Sequence, residues 1–317
     1  MNARENALRI LRHGKGEWLP NGLDVVKHLR CPVYERPMTK TAKDAFGVSW
    51  VYSGIPGFGC HYDAKQEPVV ADLEQWREQL TLPDLNVVNW ERIERLYTDG
   101  PDENTVWDAP ILMGPLERFT VLMPFEEALM NLLAEPGLAG EILMRITDYK
   151  VALIDRIADT MHPDSITLHD DWGMESGPFL SLPLWRALIK PCVRRMYDAV
   201  KRHGIILIQH SCGNVQPFLG DVVEMGADGW ESYQSCNDLP AIKRAYGNRL
   251  VFVGAPDVRS FAARGEMDDE EMERELLTRL EPLCACGGYL PDSDIGSNPR
   301  CAAAVRKTIA KLARCVE

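Results

Sequence analysis

The chain has 317 residues, 45% hydrophobic and 26% charged, an ordinary globular composition for one large domain or two smaller ones. Its formal net charge of −12 argues against nucleic acid or an anionic membrane surface as a partner. No apolar run approaches the ~20 residues of a membrane span, the charged N-terminal stretch lacks a signal peptide's apolar core, and nine cysteines without a small-domain framework read as free thiols of a reducing cytoplasm.

Residues 2–12 read as an amphipathic helix with Ala7, Leu8 and Leu11 on one face. Residues 18–26 offer a first strand and 43–52 a second extended piece. Residues 53–63 (SGIPGFGCHYD) read as a long, lid-like binding loop. Short helices are expected at 72–80 and 88–96, and a strand at 119–123 (FTVLM). Pro124 then opens a helix with Glu126 and Glu127 in its first turn. One long helical pattern covers 137–161 through Leu138, Ile142, Ile146, Tyr149, Leu153 and Ile157.

From there short apolar strands alternate with helices. A strand at 165–168 runs into His169-Asp170-Asp171-Trp172-Gly173, and a helix follows at 184–203. The strand at 205–208 is an aliphatic run leading to Gln209, His210, Ser211, Cys212, Gly213 and Asn214. A helix at 217–225 precedes a strand ending at Glu231. Asp238 is placed to cap a helix at 239–246. Strands at 250–253 and 287–290 precede Asp257 and the Asp292/Asp294 pair, and helices are expected at 268–283 and 298–312. This alternation predicts a parallel sheet with helical crossovers. With one or two N-terminal strands the count reaches about eight, which fits an α/β (β/α)8 TIM barrel with an N-terminal helical/loop extension. The chain then forms a single domain over 1–317, with 1–118 holding the N-terminal helix, the first strand or strands and the lid-like loop. A doubly wound open sheet is the alternative, and no Gly-x-Gly-x-x-Gly motif supports it.

Active sites of such folds lie where the strands end. The clusters there are rich in acids and hold no Lys or Arg, which implies a neutral or weakly charged substrate. Asp170, Asp171 and His210 are candidate catalytic groups, since clustered carboxylates acquire raised pKa values. His210 and Cys212, two residues apart on an extended chain, point the same way and are both zinc ligand types.

These residues carry a family resemblance. Asp44-Ala-Phe-Gly47 with Trp50, Asp170-Asp-Trp-Gly173, Gly177-Pro178-Phe-Leu-Ser181, Ile189-Lys-Pro191 and His210-Ser-Cys-Gly-Asn214 together resemble the uroporphyrinogen decarboxylase superfamily, over nearly the whole chain. Decarboxylase members grip acidic porphyrin side chains with an N-terminal arginine motif, and Pro20-Asn-Gly-Leu-Asp24 has none. The corrinoid-dependent methyltransferase branch retains His-x-Cys. Its thiol-activating members add a later Cys to bind zinc, whereas residues 287–296 (GGYLPDSDIG) offer Asp292 and Asp294.

The resemblance is therefore greatest to the O-demethylase methyltransferases. It implies methyl transfer from a methoxyarene such as veratrole, guaiacol or vanillate to cobalamin carried by a separate corrinoid protein, docking near the 53–63 loop. Zinc would sit on His210, Cys212 and Asp294, and Trp172, Glu231, Tyr289 and Asp292 would contact substrate. Zinc bound to the ether oxygen or a carboxylic acid donor would activate the ether. Relatives also carry a Glu-x14-Glu-x20-His zinc pattern, which Glu126, Glu141 and His162 match. One unbroken helix over 137–161 would hold Glu141 and His162 roughly 30 Å apart. A zinc-dependent thiol methyltransferase and a non-catalytic small-molecule-binding barrel remain the alternatives.

Overall fold

The computed structural model describes residues 1–54, 59–247, 249–256, 268–284, 287–292 and 299–313. Its centre is a curled parallel sheet of seven strands among the described residues. In sheet order, which is also chain order, these are β1 (Val26–His28), β2 (Val106–Ile111), β3 (Ser165–His169), β4 (Ile206–His210), β5 (Gly229–Glu231), β6 (Val251–Gly254) and β7 (Tyr289–Pro291). Helices fill the crossovers, so the fold is the TIM-barrel-like α/β architecture expected, with seven described strands where about eight were counted. The two edges come together without a ladder. A side chain at Gly22, just before β1, would lie 3.1 Å from the Pro291 carbonyl oxygen and from the Asp292 carboxylate.

Strand periodicity sorts the side chains into two sets. Trp107, Leu168, Leu207, Trp230, Phe252 and Tyr289 face outward into the main core beneath the helices. Val26, Val106, Ile206, Ile208, Val251, Val253 and Leu290 face inward. The N-terminal helix, Ala3–Leu11, closes the barrel floor by packing Ala7, Leu8, Ile10 and Leu11 on that inner set. Asn2 and Glu5 form a reciprocal capping box that starts this helix. Asn6 anchors it by donating to Trp18 O (2.9 Å) and accepting from Glu17 N (2.7 Å).

Several boundaries differ from the sequence reading. Residues 22–25 form a helical turn (Gly22–Val25), so β1 starts later than the strand expected at 18–26. The run FTVLM is no strand: Pro115–Thr120 is a short helix, and Phe119, Leu122 and Met123 pack beneath the helical layer. The strand that pattern reading missed is β2, VWDAPI, disguised by its internal Asp108 and Pro110. The helix at 184–203 is two, Leu182–Leu188 and Lys190–Arg202, broken at Ile189 because Pro191, in the first turn of the second, has no N–H to continue the ladder. The 43–62 region is an antiparallel sheet of Ala42–Lys43, Ser49–Tyr52 and Cys60–Tyr62. The long helix is continuous over Pro136–Met161. No helix among the described residues is long and apolar enough to cross a membrane.

Candidate active site

At the C-terminal end of the sheet the inward positions change character. Above the aliphatic layer they become His28, Asp108, Thr167, His169, His210, Glu231 and Asp292, a cup of titratable groups on a greasy base. Asp108 anchors one wall. Its Oδ1 accepts from Ser165 (2.7 Å) and Thr167 (2.9 Å), and its Oδ2 pairs with His28 Nδ1 at 3.0 Å. That bond raises the His28 pKa to about 9 against the opposing effect of burial. An imidazole held this way stabilises the fold fully below its unfolded value near 6.5, and the contribution disappears as pH rises through about 9. The His28 side chain is 59% exposed, so water screens the pair and its worth is below about 1 kcal/mol. An NMR titration should place the His28 midpoint near 9, and Asp108→Asn should return it toward 6.5; a midpoint near 6.5 in the parent protein would refute the pairing.

His169 and His210 lie on paired strand positions and stack, with ring centroids 4.0 Å apart and planes 16° from parallel. His210 Nδ1 lies 3.2 Å from Glu231 Oε2. Burial opposes charge on His210, but the hydrogen bonds to Cys212 and Glu231 outweigh it and lift its pKa well above the usual value. His169 goes the other way, driven well down by burial and then by the His210 charge. Burial raises Glu231 as well, yet its bond to His210 wins and holds it at about 2. The surroundings of His210 therefore favour a cation on it, a proton or a metal ion at Nε2, while Glu231 lies on Nδ1.

The other edge of His210 faces a second group. Its Nε2 is 3.5 Å from Cys212 Sγ and 3.8 Å from Asp171 Oδ1. Asp171 Oδ1 also accepts from Cys212 N (2.7 Å), and Cys212 Sγ is 3.2 Å from Ser232 Oγ. Ser232 holds its hydroxyl there from a left-handed backbone, φ 67°. The loops carrying these residues are locked together. Trp172 N donates to Ser211 Oγ (3.0 Å), Asp170 N to His210 O (3.1 Å), and a Cβ at Gly213 would stand 2.3 Å from the Gly173 carbonyl carbon. The glycines of both sequence motifs are explained by that approach.

Among the described residues, two donor sets have ligand atoms within 4.8 Å of one another: Asp171/His210/Cys212 and His169/His210/Glu231. The second fits a metal poorly, because the lone pairs of stacked imidazoles lie in two near-parallel planes, and one ion cannot sit in both. The first fits well. It offers oxygen, nitrogen and sulfur donors, leaves a fourth position open, and keeps His210 Nδ1 on the Glu231 carboxylate, the usual outer-shell arrangement of a metal-binding histidine.

Glu117, which pattern reading did not single out, joins the site from the Pro115–Thr120 helix. Its Oε2 is buried without a hydrogen-bond partner, and Oε1 lies 4.0 Å from the Arg36 guanidinium. Burial, then the Asp171 charge, pushes its pKa to about 7. Asp170 stands behind it, 2% exposed, accepting from Glu117 N (2.9 Å) and Trp172 Nε1 (2.8 Å). A side chain at Gly114 would collide with Asp170 at 2.3 Å, so glycine there admits the carboxyl. Burial and the Glu117 charge raise Asp170 to about 8. It positions the helix that carries Glu117 instead of lining the cup with Asp171, as expected of the pair.

The remaining sequence candidates separate. Trp172 is fully buried, its ring against Trp185 (5.0 Å) and Phe218 (5.9 Å), and Tyr289 is buried with its hydroxyl 2.8 Å from that of Tyr233. Both belong to the outward-facing core, so the substrate contact expected of them is not what the fold builds. Trp50 is likewise buried, with Nε1 on Asp44. Glu231 and Asp292 occupy inward positions. Asp257 and Asp294 lie outside the described residues, as does part of the 53–63 loop, 55–58. Glu126 and Glu127 are exposed on the first turn of the Phe125–Ala134 helix. Glu141 pairs with Arg77 on the surface, and His162 caps the opposite end of the same unbroken helix, so these two cannot share an ion.

A parallel, barrel-like sheet with an ionisable cup at its C-terminal mouth defines a TIM-barrel-type protein with its site in the usual place. The uroporphyrinogen decarboxylase (URO-D) model matches residues 101–278, and the chain belongs to that family. No curated protein sequence matches it. Among solved structures, a methyltransferase from Methanosarcina mazei superposes with TM-score 0.62 at 16% identity, covering 98% of this chain and 99% of that one. A sugar phosphate isomerase/epimerase from Parabacteroides distasonis aligns at TM-score 0.33 and 14% identity over 70% of this chain and 90% of that one.

Proposed function

We propose that this chain is a methyltransferase that cleaves an aryl methyl ether and passes the methyl group to the cob(I)alamin of a corrinoid protein. The observation that carries the reading is the Asp171/His210/Cys212 set beside Glu117 at the barrel mouth. A single thiolate with a carboxylate and an imidazole suits activation of an ether oxygen better than a site with two thiolates, because the harder carboxylate leaves more charge on the ion. Zinc, when bound there, supplies a Lewis acid that polarises the ether oxygen.

The chain's own groups have separable tasks. Glu231 fixes the His210 tautomer, and Cys212 N holds the Asp171 carboxylate in place. Glu117, with a pKa of about 7, is the carboxyl available to protonate the departing phenolate oxygen, a task sequence reasoning gave to Asp170 or Asp171. A cobalt(I) acceptor would supply the nucleophile, so no nucleophilic side chain would be required of this chain. The corrinoid protein docks over the mouth, including the 53–63 segment. The methyltransferase named in the Methanosarcina mazei structure, and the absence of arginine at Pro20–Asp24, favour this reading over porphyrinogen decarboxylation.

The test is anaerobic incubation with cob(I)alamin and a panel of methoxyarenes, read by the visible spectrum of methylcobalamin. Methylcobalamin and a free phenol are the expected products. Methyl transfer from methylcobalamin to a thiol instead would support the alternative drawn from His210-x-Cys212, and binding without any transfer would support a non-catalytic barrel.

A further inference from the structure

The turn after β5 brings a serine to a place where glycine would be the undemanding residue. Ser232 sits at φ 67°, a region that glycine enters freely and that a Cβ makes costly. What the serine brings is its hydroxyl, 3.2 Å from Cys212 Sγ.

The direction of that contact follows from the residues behind it. Gln234 Oε1 accepts from Gly213 N at 2.9 Å. A backbone N–H can only donate, so the amide oxygen faces Gly213 and the amide NH2 faces Ser232, where Nε2 donates to Oγ at 3.2 Å. A Cys212 thiolate, the form that ligates a metal, can only accept. With its oxygen already accepting from Gln234, the Ser232 hydroxyl has its proton left for the sulfur. Three donors then run one way: Gly213 N to Gln234, Gln234 to Ser232, and Ser232 to Cys212. The run is pinned from outside the cup. Buried Asn237 donates to Gly213 O (2.9 Å) and Gln234 O (3.1 Å), and accepts from Val215 N and Gln216 N, both at 3.0 Å.

We propose that Ser232 is a positioning residue whose hydroxyl, oriented by Gln234, donates to the Cys212 sulfur and draws charge from it. The proposal rests on the Asp171/His210/Cys212 metal set of the function proposed above, but not on the identity of the methyl donor. A thiolate that shares its charge with a hydroxyl gives less of it to a bound ion, which stays the stronger Lewis acid.

Cobalt(II) in place of zinc makes the sulfur visible, because the thiolate-to-cobalt charge-transfer band moves to longer wavelength as the sulfur becomes a stronger donor. Metal-free protein loaded with excess cobalt(II) is compared with Ser232→Gly and Gln234→Glu, and loss of the band in Cys212→Ala identifies it. Glycine suits φ 67°, so the first variant removes the hydroxyl without straining the backbone. The second keeps the hydroxyl, but a carboxylate offers it no N–H and takes its proton instead. Both bands should move to longer wavelength. Both variants should lose about ten-fold in cobalt affinity, which the excess covers. The charge of a new carboxylate also acts on the ion, so the double variant decides between the two causes. It should match Ser232→Gly, whereas a further shift means that charge acts alone and overturns the relay. Unmoved bands in folded, loaded variants also overturn it, as does a parent protein without the band or a band that survives Cys212→Ala. The expected shifts in a protein that transfers no methyl group uphold the role of Ser232 while removing the ether reading. Methyl transfer with unmoved bands does the reverse.

Discussion

His210→Ala should strip the protein of the zinc proposed for this site and lower methyl transfer by about 10³-fold, as expected if a ligand imidazole worth several kcal/mol at the transition state is lost. Three arrangements converge on this ring: the Glu231 carboxylate on Nδ1, Cys212 and Asp171 at Nε2, and His169 stacked on its face. Cys212→Ala should act in the same direction. Glu231→Gln keeps the ligands but weakens their orientation, and should cost roughly 10- to 100-fold in metal affinity. Emission spectrometry of dialysed protein measures zinc, and the cobalamin spectrum measures rate. Glu141→Ala and His162→Ala are the controls: they sit at opposite ends of an unbroken helix and should retain metal and rate. Full zinc content in folded His210→Ala, or its loss in either control, would remove the proposed site.

The largest stability effect is expected at Arg118→Met. This guanidinium is fully buried, donates to Asp44 Oδ2 (2.6 Å) and Glu35 O (2.7 Å), and lies 4.0 Å over the Phe46 ring. Asp44 in turn accepts from Phe46 N, Val48 N and Trp50 Nε1, which knits the Asp44-Ala-Phe-Gly47 turn to the barrel. Removing the cation leaves Asp44 as a buried charge facing only neutral donors, at a cost of about 3–5 kcal/mol. Urea unfolding at neutral pH measures it. A loss below about 1 kcal/mol would mean that the turn relaxes and lets water reach Asp44.

The helix and strand pattern after residue 160 was legible because each inner strand there is an apolar run followed by polar residues. β2 was not, because its Asp108 is a barrel-interior residue satisfied by partners on β1 and β3, far away in sequence. FTVLM misled for the converse reason, since a short buried helix end is as apolar as a strand. At the site, the His-x-Cys spacing and strand-end position of His210 and Asp171 were readable from local sequence. Glu117 and Arg36 were not: a carboxyl on a short helix and an arginine in a loop acquire meaning only when packing removes their water. Asp170 shows the limit of strand-end logic. Neighbours in an extended chain face opposite ways, so one acid of the pair enters the cup and the other anchors a helix.

The joint between Gly22 and Pro291 has a temporal consequence. The barrel's floor helix and first strand leave the ribosome long before β7, yet their seat includes β7, and Arg306 holds Asp24 from the helix Pro299–Leu312 at 2.9 Å. All the strands between must be made before those pairs can form, and loop closure over such sequence separation is slow. The nascent chain therefore carries the apolar face of Ala3–Leu11 without its full seat until β7 emerges, an interval in which a holding chaperone would find a ready substrate.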